Sequence, residues 1–276
     1  TDCSDISLND PASALRTFAR RAKSLIRRTG IDQQRLVGGA ASVAGRVDPD
    51  TGRLIGAAPL GWEGQMVGVA FERSLGIPFT CEGRAAALLE VERSLGPAAG
   101  CKDILLVNVG LRYGSALMVD GNLLRGANNG ACVLNNFRPT PSKTLDGLAS
   151  GFAILRQLAK LHHEVPSDAD PGNFLRQYIE QERPHDKATA AVFRKCGAAL
   201  GRTIDKLEPV LAPQLVILAG FVARHSEYVA GVRSKLRHGS VEIQVSRFTT
   251  AQSAVHMALN RHLFSEALDI DRLMAA

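Results

Sequence analysis

The chain has 276 residues, of which 45% are hydrophobic and 22% charged, and it carries a formal net charge of +6. That is enough chain to bury one large core or two ordinary ones. The longest apolar stretch, Leu215 to Ala223, is far short of the ~20 residues of a membrane helix, and no signal-peptide pattern opens the chain. Five widely spaced cysteines without a Cys-x-x-Cys pair argue against a disulfide framework and a zinc knuckle. The expected compartment is the cytoplasm, with no membrane partner.

Asp10-Pro11 predicts a helix N-cap followed by proline in the first turn. Leu15, Phe18, Ala19, Ala22, Leu25 and Ile26 recur at three-and-four spacing, and Gly30 is the expected stop. The opposite face carries Arg20, Arg21, Lys23, Arg27 and Arg28 and reads as a solvated basic face rather than a DNA-recognition helix. Leu36 to Ala44 predicts a buried strand leading to Gly45, and Asp48-Pro49-Asp50-Thr51-Gly52 is turn chemistry. Trp62 is expected at a rim or in the core. A helix over 66–75 and a strand over 79–81 follow. Glu82-Gly83-Arg84 is expected to open a helix over 85–95, where the carboxylate either caps the helix or faces a cleft. The Gly/Pro/Ala stretch 96–102 is the expected domain boundary.

Ile104 to Val109 is a continuous apolar run, the pattern of a strand buried on both faces. Gly110-Leu111-Arg112-Tyr113-Gly114 reads as a tight turn whose glycines also suit an anion. Ser115 to Val119, Asp120-Gly121 and Asn122 to Leu124 then predict a hairpin. Residues 132–143 are a loop. Helices are expected over 145–162, 174–178 and 188–207, the last ending before Glu208-Pro209. A buried strand over 215–220, a helix to about residue 236, a strand over 241–245 and a closing helix over 249–263 complete an α/β chain.

Several segments carry a family resemblance: residues 45–52 (Gly-Arg-Val-Asp-Pro-Asp-Thr-Gly), Leu60-Gly61-Trp62, Leu75-Gly76-Ile77-Pro78, Ala85-Ala86-Ala87-Leu88, Val119-Asp120-Gly121 and residues 124–128 (Leu-Arg-Gly-Ala-Asn). In this order they resemble the ROK family (repressors, open reading frames and sugar kinases), from about residue 10 to about residue 260. The resemblance implies an actin-like ATPase fold of two α/β lobes around a cleft, usually dimeric. The expected lobes are 1–103, with 256–276 packing back on it, and 104–255.

The resemblance also implies devices that can be checked one by one. The family's Glu-Asn-Asp motif, whose Asp is the general base, is matched by Thr80, Cys81 and Glu82, so a carboxylate survives one methylene longer. Leu111 and Arg112 replace the Thr-Gly of the phosphate loop; Arg112 either binds an anion or, preferably, pairs with Glu82 or another acidic neighbour. Cys132, Val133, Leu134, Asn135 and Asn136 match the family's Gly-Glu-Ile-Gly-His, and residues 138–144 hold none of the cysteines of its zinc loop. Asp146 stands at a sugar-binding glutamate, and His162-His163 read as helix-surface residues. The first phosphate motif, Asp-x-Gly-Gly-Thr, has no counterpart from Thr1 onward.

Together these changes leave little apparatus for phosphoryl transfer. The expectation is the effector-binding and dimerisation region of a ROK transcriptional regulator, catalytically inactive, holding a sugar or sugar derivative near Gly45, Glu82, Asn136 and Asp146. Gly110, Gly114 and Gly220 are the positions a nucleotide would meet. No cofactor and no zinc are expected; the partners are a second copy of the chain, and DNA through an upstream helix-turn-helix domain. The alternative is a divergent sugar kinase using ATP and magnesium, with Glu82 as base.

Overall fold

The computed structural model describes residues 6–56, 60–162, 170–180, 186–237 and 241–264. His163, most of the expected 166–171 loop and residues 265–276 lie outside them. The chain forms two compact units. One comprises Thr1–Val91, Arg125–Gly130 and Thr249–Ala276; the other comprises Glu92–Leu124 and Ala131–Phe248. This division differs from the expected breaks at 103 and 255. It falls inside a helix whose last turn carries Glu92, and six residues after the central hairpin return to the first unit.

In the first unit, α1 (Pro11–Thr29) begins on Asp10, whose side chain accepts from the Ala12 amide, and ends at Gly30 with φ 68°. It buries Ala14, Leu15 and Ala19. Strand β1 (Gly39–Val43) is shorter than the 36–44 expected, and a hairpin of β2 (Arg46–Asp48) and β3 (Arg53–Gly56) brackets the turn at 48–52. Trp62 is a core residue whose Nε1 donates to the Leu8 carbonyl at 2.8 Å. After α2 (Val67–Leu75), β4 (Phe79–Gly83) pairs in parallel with β1 as far as Val43 opposite Gly83. That pairing keeps Glu82 on the strand, opposite Ser42, and corrects the expectation that it opens the next helix, α3 (Arg84–Leu95).

The second unit is built on a mixed sheet. All six residues of β5 (Ile104–Val109) are buried; β6 (Tyr113–Val119) runs antiparallel to it and turns through Asp120-Gly121, both at positive φ, into β7 (Asn122–Leu123). Helices α4 (Leu145–Ala149) and α5 (Gly151–His162) replace the single helix expected over 145–162, because Ser150 is extended, with ψ 172°. Then come α6 (Pro171–Glu180) and α7 (Lys187–Leu211). Helix α7 runs through Pro209 rather than stopping before it. Proline cannot donate to the carbonyl four residues back, and Arg237 Nη2 takes that place, donating to the Asp205 carbonyl at 3.1 Å.

Strand β8 (Leu215–Ala219) lies parallel to β5, and after α8 (Ser226–Arg233) β9 (Glu242–Val245) lies parallel to β8, giving the order β7-β6-β5-β8-β9. Helices α7 and α8 touch backbone to backbone. A Cβ on Gly197 or Gly201 would collide with the Tyr228 or Val232 carbonyl, and one on Gly231 with that of Arg194. The chain then returns to the first unit as α9 (Thr250–His262), started by a Thr249/Gln252 capping box. His262 Nε2 lies 3.0 Å from Thr80 Oγ1 and 3.1 Å from the Gly39 carbonyl, tying α9 to β4 and β1.

Candidate functional site

Glu82 is the acidic residue that matches the family's base position, and its carboxylate is engaged at both oxygens. Oε1 accepts from the Gly83 amide at 2.7 Å and Oε2 from Arg125 Nη2 at 2.6 Å. The side chain is 6% exposed and that of Arg125 27%. Arg125 arrives from the short return segment 125–130, whose path is held by two further hydrogen bonds: Arg46 Nη1 donates to the Asn128 carbonyl at 3.0 Å, and Asn129 Nδ2 to the Val47 carbonyl at 2.8 Å. Beside Glu82 in the strand register, the Ser42 hydroxyl is buried and meets no hydrogen-bond partner. Gly45, at φ 138°, leaves its carbonyl where a Cβ on Gly83 would touch it. Cys81 is inert here, its thiol pushed up to about 12 by burial and then by the Glu82 charge.

Asn136 and Asp146 belong to the second unit, so the four expected ligand contacts divide two and two between the units. Asp146 lies in the first turn of α4, and its carboxylate is also engaged. Oδ1 accepts from the Tyr113 amide and Oδ2 from Arg112 Nη1, both at 3.0 Å. Arg112 therefore pairs with Asp146 and not with Glu82; its guanidinium also lies 5.3 Å from the centroid of the Phe152 ring.

The glycine loop meets the start of α5 with its carbonyls. The Gly110 and Leu111 carbonyls accept from the Gly151 and Phe152 amides at 2.9 and 3.0 Å, so the loop itself caps the start of α5, where an anion would otherwise find donors. Gly114, expected in the turn, is a strand residue of β6 paired with Asn108. Gly220, at φ 89°, has a packing role: a Cβ there would collide with the Val109 carbonyl. These donors do not fit the phosphates of a nucleotide.

The residues matching the family's zinc site do not fit the metal either. Asn136 is exposed, and an amide is a poor zinc ligand; Cys132 is a free thiol, pushed up to about 11 by burial. Among the described residues no group of three or more His, Cys, Asp or Glu converges. Cys132 nevertheless holds φ 56°, the left-handed conformation suited to the glycine that the family has there.

Sequence reasoning missed Arg125 as the partner of Glu82 and Ser42 as an unsatisfied hydroxyl. Arg125 stood in a quoted motif, but its partner lies 43 residues away. Ser42 has a polar side chain inside an otherwise apolar strand, a usable signal.

The ROK family profile matches residues 17–258. A glucokinase of Halalkalibacterium halodurans is 24% identical over 208 residues, covering 68% of this chain; the chain spans 62% of that enzyme's length. A ROK glucokinase from Streptomyces griseus, solved with glucose and AMPPNP, superposes with a TM-score of 0.69 at 19% identity, over 79% of this chain and 80% of its own. A ROK transcriptional regulator, a homologue of the Escherichia coli MLC protein, superposes with a TM-score of 0.71 at 15% identity, over 96% of this chain and 72% of its own. The fold is the actin-like ATPase fold of these sugar kinases. With the profile spanning most of its length and this fold behind it, the chain belongs to the ROK family.

Proposed function

We propose that this chain is a non-catalytic ROK protein: the sugar-sensing, dimer-forming part of a transcriptional regulator. The fold is shared by kinases and a regulator alike, so the reading rests on one observation, the Glu82–Arg125 ion pair. A general base needs an accessible carboxylate oxygen within hydrogen-bond reach of the hydroxyl it deprotonates. Here the carboxylate is buried, salt-bridged at 2.6 Å and hydrogen-bonded to its own neighbour's amide. The capped start of α5 supports the same reading, because phosphoryl transfer consists largely of positioning and neutralising phosphates.

A sugar would be held in the first unit, by hydrogen bonds to Ser42 and the Gly45 carbonyl beside the Glu82–Arg125 pair, with neither ATP, magnesium nor zinc. Ligand binding would bias the dimer and, through an upstream helix-turn-helix domain, its affinity for DNA. The test is a thermal-shift screen of hexoses and amino sugars, combined with a coupled assay for ADP release with Mg·ATP. A sugar that raises the melting temperature without ADP release is the expected result. Sugar-dependent ADP release that collapses in Glu82→Gln would establish the kinase reading instead. No shift with any sugar would remove the sensor role.

A further inference from the structure

Helix α1 carries a straight row of cations, Arg16, Arg20, Lys23 and Arg27, at spacings of four, three and four residues. Arg73 of α2 faces them across a groove of ≈ 290 Å³. All five are exposed, no acidic residue lines the groove, and among the described residues none of the five makes an ion pair. Like charges at this spacing destabilise a helix by ~0.2–0.5 kcal/mol per pair, so the row works against the fold unless an anion meets it. A solvated basic face accounts for scattered arginines. It does not account for a second helix completing a concave, acid-free site.

We propose that this groove binds the phosphate backbone of duplex DNA without reading its bases. The proposal stands whether or not the chain is catalytic. From Arg16 to Arg27 the helix rises about 16 Å, at ~1.5 Å per residue. A duplex carries one charge about every 1.7 Å of axis, both strands counted, so it offers the row several phosphates at once. A lone phosphate would engage only part of it. A membrane surface fits less well, because Ala14, Leu15 and Ala19 of the apolar face of α1 are buried and Leu25 is its one large exposed apolar side chain.

The experiment is fluorescence anisotropy with a random-sequence duplex of about 20 base pairs, titrated with salt, on the full chain. The expected result is binding whose affinity falls steeply with salt. In Arg16→Gln/Arg20→Gln/Lys23→Gln/Arg27→Gln, affinity at low salt should drop at least tenfold and the log–log slope should become shallower by about 3–4. Lys195→Gln/Arg202→Gln/Lys206→Gln/Lys235→Gln removes the same charge from exposed positions of the second unit and should bind as the parent does. If the first variant fails to fold, Arg16→Gln/Arg20→Gln should give about half its change in slope. Absence of duplex binding, an equal loss in the second variant, tighter binding to a single strand, or binding to phosphatidylserine vesicles in place of the duplex would each overturn the proposal.

Discussion

The hydroxyls of Tyr113 and Tyr228 lie against each other and each stands 3.0 Å from the Ala149 carbonyl oxygen. One carbonyl at the end of α4 thus joins the first residue of β6 to α8. Burial, before any other cause, holds both phenols above the usual value of 10. Either Tyr→Phe change should lower stability by about 1–2 kcal/mol, and the double change by less than the sum, because the survivor no longer has a hydroxyl beside it. Phenols raised in the folded state stay neutral while those of the unfolded chain ionise. Stability therefore falls as pH rises above 10, and spectrophotometric titration should show neither phenolate before unfolding.

Arg125→Met should destabilise by about 2–4 kcal/mol in urea unfolding, since it leaves the Glu82 carboxylate buried beside only one amide donor. Adding Glu82→Leu to it should recover most of the loss. Equal, additive losses would show that the pair is not coupled.

Glu92 is fully buried and neither carboxylate oxygen meets a donor; the Ser246 hydroxyl nearby serves the Phe248 carbonyl instead. Desolvation raises its carboxyl above 4.5, with the Arg247 charge pulling the other way. Below pH 4.5 the carboxyl is neutral in both states and imposes no penalty. Above it the unfolded chain ionises first, and folding loses stability until the folded group follows. Glu92→Gln should therefore raise the melting temperature at pH 7 and leave it unchanged near pH 4. A gain of equal size at both values would refute the assignment.

Gly197→Ala puts a methyl group into the Tyr228 carbonyl at the α7–α8 contact. The expected cost is about 2–3 kcal/mol, a fall of about 5–10 °C in calorimetry, with far-UV circular dichroism unchanged.

Elements with strong local signals were legible in advance: β5 and β8 as apolar runs, α1 from Asp10, Pro11 and its period, and the Asp120-Gly121 turn. The misplaced features depend on partners far along the chain. Whether Pro209 ends α7 is decided by Arg237, whether α4 and α5 join is decided where Gly110 and Leu111 cap α5, and whether Glu82 starts a helix is decided by β1. The candidate site follows the same rule. The degraded positions could be named one by one, but the engagement of Glu82 by Arg125 and of Asp146 by Arg112 depends on which side chains the fold brings together.

The capping of α5 by the Gly110 and Leu111 carbonyls bears on any attempt to rebuild a nucleotide site in this chain. Writing Thr-Gly back at 111 and 112 would trim two side chains and leave both carbonyl oxygens pointing at the Gly151 and Phe152 amides. A phosphate would still meet acceptors where it needs donors. Peptide orientation, rather than side-chain identity, is the barrier, so single-residue reversion toward the kinase motif should yield a smaller loop and no nucleotide affinity.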